Sequence, residues 1–72
     1  MNRNLQITYM QIRLLRLAAE EWQKTLTEAN AIFSKNGVYD FICEYFDSFH
    51  IEGDFAILEE VEQYLVKREP LL

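Results

Sequence analysis

Residues 4–23 read NLQITYMQIRLLRLAAEEWQ, and placing them at about 100° per residue decides the fold. Arg13, Arg16, Glu20, Gln23 and the following Lys24 then share one narrow polar strip. Ile7, Met10, Ile12, Leu14, Leu15, Leu17, Ala18, Ala19 and Trp22 occupy the rest. The apolar arc spans roughly 220°, about twice what a helix lying on a single core needs. Such a helix belongs at the centre of a bundle, or is shared with a second copy.

Downstream, the chain punctuates itself. Thr25-Leu26-Thr27-Glu28 has the form of a capping box, in which hydroxyl and carboxylate each accept from the other residue's backbone. A second helix over residues 26–36 follows, turning Leu26, Ala29, Ile32 and Phe33 inward. Asn36-Gly37 ends it, because glycine takes a left-handed C-cap conformation at little cost. A third helix is predicted over residues 38–49, with Phe41, Tyr45 and Phe46 buried and Asp40, Glu44 and Asp47 outside. Glu52-Gly53 turns the chain into a fourth helix over 54–67, with Asp54 as its N-cap. There Phe55, Ile57, Leu58, Val61, Tyr64 and Leu65 face in, and Lys67 and Arg68 suit the negative end of the dipole. Pro70 stops it, leaving 69–72 as a tail. No segment alternates with period two, so the expectation is an all-α, single-domain bundle of about four helices.

Bulk composition limits what the bundle can be. Half of the 72 residues are hydrophobic and ten are aromatic, a rich supply of core. The one cysteine, Cys43, forbids an internal disulfide, and one Cys plus one His cannot furnish a four-ligand structural zinc site. No stretch approaches the roughly 18–20 apolar residues needed to cross a membrane, and no secretory signal is seen. The lone thiol fits a reducing compartment, so a cytoplasmic location is expected.

The net charge of −5 is unevenly spread. Residues 1–36 hold five basic and three acidic groups, a balance of +2; residues 37–72 hold two and nine, a balance of −7. An acidic half repels nucleic-acid phosphate. Residues 26–49 superficially form a helix-turn-helix, but its second helix would offer Asp40, Glu44 and Asp47 and contains no Lys or Arg. A DNA-binding regulator is therefore a minor alternative.

Catalytic constellations are wanting. Cys43 and His50 would lie about 10 Å apart along a helix, too far for a nucleophile and its base. Cys43 is expected at the edge of the apolar side, as a small buried hydrophobe. Glu44, Asp47 and His50, at i, i+3 and i+6, lack a specified fourth ligand for a metal. The two glycines, sixteen residues apart, cannot cradle a phosphate. No catalytic residue, cofactor, metal or small-molecule substrate is predicted.

Gly37, Asp40, Phe41, Tyr45, Asp47 and His50 follow a pattern: a helix-ending glycine, an aspartate-aromatic pair, then a tyrosine/aspartate/histidine run. Across about residues 14–68 the chain resembles a family of very small bacterial and phage proteins classed as a domain of unknown function. Ile51-Glu52 stands where members carry Thr-Gln. The resemblance implies a short helical protein encoded near ADP-ribosyltransferase-like toxin genes, and so an antitoxin-like or accessory role.

The functional expectation is a protein–protein interaction module, with a homo-oligomeric structural protein as the alternative. Tyr45, Asp47 and His50 are the candidate docking edge, although His50 is also placed to cap the third helix. A homodimer is expected through Ile7, Met10, Leu14 and Leu17, with Leu15, Ala19 and Trp22 turned to the chain's own core.

Overall fold

The computed structural model describes residues 2–68. Helix α1, Arg3–Glu21, starts one residue before the expected position because the Asn2 side chain accepts from the Leu5 N–H at 2.9 Å. It ends in a Schellman motif: Lys24 N–H donates to Ala19 O at 2.9 Å and Gln23 N–H to Glu20 O at 3.2 Å. Gln23 takes the left-handed position, φ 55°, that glycine normally fills.

Helix α2, Leu26–Lys35, opens with the expected capping box. Thr25 Oγ1 accepts from Glu28 N–H at 3.0 Å, and Glu28 Oε1 accepts from Thr25 N–H at 2.8 Å. The Thr25 backbone N–H holds the Glu28 carboxyl below its ordinary range. Asn36 caps the other end, buried, with its side-chain amide donating to Ile32 O at 2.9 Å, and Gly37 follows at φ 70°.

The predicted third helix is two. Helix α3, Val38–Glu44, and helix α4, Phe46–Phe49, meet at Tyr45, whose backbone leaves the helical region at φ −101°, ψ 15°. The break turns Phe46 under Arg3 of α1 while Phe49 stays against Phe41. Helix α5, Asp54–Arg68, takes Asp54 into its first turn and Lys67 and Arg68 into its last. Residues 69–72, with the expected stop at Pro70, lie outside the described residues. Among the described residues there is no strand.

Helix α1 is the central element, with α2, α3 and α5 packed on it. Ile7, Met10, Leu14 and Ala18 join Phe33, Val38, Ile42, Phe46, Phe49, Ile57, Leu58, Val61 and Leu65 in one core. Each large side chain removed from water there contributes about 1.5–3 kcal/mol. This overturns the expected dimer stripe: Ile7, Met10 and Leu14 are in the chain's own core, and Leu17 is half-buried. Ala19 is buried as expected, while Leu15 and Trp22 are half-buried against the core. The surplus apolar face of α1 is instead Leu5, Tyr9 and Ile12. Because α1 is apolar over most of its circumference, only the positions of its three neighbours select the inward side.

Two other expectations fail for a common reason. Leu26 and Phe55 are 51% and 64% exposed, not buried. Each sits in the first turn of its helix, where the Cα–Cβ bond leans toward the N-terminus and carries the side chain past the packed region. Cys43, expected as a small buried hydrophobe, is also exposed.

Polar ties join the elements. Trp22 Nε1 donates to Glu62 at 2.9 Å, Gln11 Nε2 to Tyr39 O at 2.9 Å, and Tyr39 OH to Asn30 at 2.6 Å. Burial raises the Tyr39 phenol above its ordinary range. No buried side-chain nitrogen or oxygen lacks a partner among the described residues.

Candidate functional site

The broad apolar side of residues 38–49 divides into two rows. Val38, Ile42, Phe46 and Phe49 enter the core, whereas Phe41 and Tyr45, four residues apart, run along the surface. Phe41 was expected inside and is half-buried; Tyr45 was expected inside and is 46% exposed. Tyr64 of α5 meets them: its ring stacks on Phe41 with centroids 4.3 Å apart and planes 18° apart. Tyr45 closes on Phe41 at 5.2 Å and on Phe49 at 6.0 Å. The Tyr64 hydroxyl donates to Asn36 O at 2.7 Å, which fixes the ring against the α2–α3 corner.

Two clefts flank this aromatic ledge. One, of about 320 Å³, lies between Tyr45, Phe49, Glu60, Gln63 and Lys67; the other, of about 400 Å³, lies between Gly37, Asp40, Glu44 and Arg68. Phe41, Tyr45 and Tyr64 line both. The Arg68 guanidinium lies over the Tyr64 ring at 5.4 Å, a cation–π contact. At the rim, hydrogen bonding with the Glu52 carboxyl raises the Glu60 carboxyl above its ordinary range, with smaller contributions from burial and from the Glu52 charge.

The other two predicted docking residues lie elsewhere. Asp47 accepts from the Arg3 guanidinium at 2.7 Å, and this bond, with the Arg3 charge, holds its carboxyl below the ordinary range. The same guanidinium lies over the Phe46 ring at 5.3 Å, so Arg3 ties the N-terminus of α1 to α4. His50 is the C-cap of α4: its ring stacks on Phe46 at 5.5 Å and its Nδ1 lies 3.3 Å from Phe46 O. It borders a separate cleft of about 400 Å³ with Gln6, Tyr9, Met10 and Arg13. Tyr45, Asp47 and His50 therefore do not form one edge. Tyr45 belongs to the ledge, while Asp47 and His50 make contacts that hold α4 in place.

Nothing in the sequence singles out Arg3 or Tyr64 for these roles. A signal for the ledge was nonetheless present: Phe41 and Tyr45 at i, i+4 duplicate the adjacent row of Ile42 and Phe46, one row more than one core can use. Among the described residues, no group of three His, Cys, Asp or Glu side chains is arranged to hold a metal ion. No helix among them is long and apolar enough to cross a membrane.

No curated protein and no solved structure matches the chain. A family model described as protein of unknown function, DUF3791, matches residues 9–68, a span that includes α2 to α5 and most of α1. The chain belongs to the DUF3791 family.

Proposed function

We propose that the chain is a protein-interaction module that docks a partner on the ledge of Phe41, Tyr45 and Tyr64. The observation that carries this reading is Tyr45, a large aromatic side chain 46% exposed at the junction of two clefts. Aromatic residues in such settings dominate many interfaces, because they bury much area at little entropic cost. In its narrower form, the reading makes the chain an antitoxin-like or accessory partner of a toxin encoded beside it. The resemblance to short helical proteins with such neighbours supports that form. A cytoplasmic location accompanies it, supported by the exposed free thiol of Cys43.

Affinity capture from the native host, with wild type and Tyr45→Ser run in parallel, tests the proposal. A protein held by wild type and released by the variant supports the ledge. The same proteins held by both would refute it.

A second reading, a homo-oligomer, is favoured by Leu5, Tyr9 and Ile12, which line the outer face of α1 and are 42–47% exposed. Two copies related by a two-fold axis would cover these faces together.

A further inference from the structure

We infer that the ledge takes a basic, apolar-anchored helical segment of a partner protein, a specification that rests on the interaction reading above. The two clefts run between α3 and α5 on either side of the rings of Phe41, Tyr45 and Tyr64, which line both. Helices dock into such grooves through side chains spaced at i, i+3 or i+4 and i+7. The rim selects the charge. Asp40 and Glu44 on α3 and Glu60 on α5 stand exposed beside the rings. None of the three forms a salt bridge among the described residues, whereas Asp47 and Asp54 are matched by Arg3 and Arg13.

Cations from a partner would meet these acids, and acidic partners would be repelled. The aromatic floor accepts such a group as well, since Arg68 already places its guanidinium 5.4 Å from the Tyr64 centroid. Lys67 lines the same cleft as Glu60, and Arg68 the same cleft as Asp40 and Glu44, so the rim holds three acids against two bases and stays net negative. The same acids disfavour nucleic acid and anionic lipid, whose phosphates seek Lys and Arg.

Two synthetic helical peptides, each about five turns long and sharing one leucine stripe, provide the probe. One carries Lys and Arg on its polar face and the other Glu. Each is titrated into the full ¹⁵N-labelled chain and followed by amide chemical shifts. The basic peptide should shift amides in residues 40–45 and 60–64, and its affinity should fall as salt is added. Glu44→Lys, an exposed change, should weaken that binding about tenfold while the helical circular dichroism stays unchanged. Tyr45→Ser should weaken it independently of charge. Equal binding of both peptides at these amides would overturn the basic partner and leave the ledge as a docking face. Shifts confined to another face, or none with either peptide, would overturn the ledge itself.

Discussion

Gly37→Ala isolates the corner on which the ledge depends. Gly37 sits at φ 70°, and a methyl group there would lie 3.3 Å from the Tyr64 hydroxyl. The left-handed backbone costs an L-residue about 1–2 kcal/mol. Moving the Tyr64 hydroxyl loosens its 2.7 Å bond to Asn36 O, and a hydrogen bond of this kind contributes about 0.5–1.5 kcal/mol. The alanine returns about 0.4–1 kcal/mol by restricting the unfolded chain. The net loss centres near 2 kcal/mol, roughly 10 °C in melting temperature for a domain of this size. Urea and thermal unfolding followed by circular dichroism would measure it. In a Tyr64→Phe background the backbone cost remains and the hydroxyl contribution vanishes, so the loss should shrink to about 1 kcal/mol. A Gly37→Ala protein as stable as wild type would refute the left-handed assignment. An equal loss in both backgrounds would refute the role given to the Tyr64 hydroxyl.

The remaining expectations concern the termini of α1, the core and the surface. Gln23→Gly should stabilise the chain by about 1 kcal/mol, because glycine occupies the left-handed C-cap position at lower cost; a lower melting temperature would count against the Schellman geometry. Phe49→Ala, at a fully buried ring, should cost about 3–5 kcal/mol, and Phe41→Ala, at a half-buried one, distinctly less; the reverse order in chemical denaturation would contradict the two-row division of residues 38–49. The Asp47 carboxyl is lowered in the folded state, so its contribution is present above the ordinary carboxylate range and is lost as pH falls through that range and the lowered folded value. Arg3→Gln should therefore lower the urea midpoint near neutrality and approach wild type in strong acid; a difference that persists in acid would show that Arg3 acts through Phe46 alone. For self-association, sedimentation equilibrium should give a mass above 8.6 kDa that Tyr9→Glu returns to the monomer value; 8.6 kDa for wild type at every concentration would dismiss the α1 face as an interface.

What the sequence determined by itself is whatever rests on neighbours within a few residues. Thr25 and Glu28 need only each other's backbone, and Asn36-Gly37 needs only its own dihedral freedom, so the limits of α2 were legible in advance. The period of the apolar residues determined an all-helical chain, and the run of acids after residue 37 placed the negative charge. The termini of α1 were less legible, because Gln23 does the work of a glycine and carries no mark of it.

Tertiary structure decided which apolar surface is used and which is left over. Helix α1 could have buried either side; the arrangement of α2, α3 and α5 selected Ile7, Met10 and Leu14 and left Leu5, Tyr9 and Ile12 outside. Over residues 38–49, both apolar rows satisfy the helical period. Only the approach of Tyr64 from α5, 23 residues beyond Phe41, turned one of them into a stacked surface ledge. Tyr45, Asp47 and His50 parted company for the same reason. Arg3, 44 residues away, draws Asp47 toward α1, and the break at Tyr45 sends His50 to a different face. Periodicity assigns a residue to a side of its own helix, but the partner on that side is supplied by distant segments of the chain.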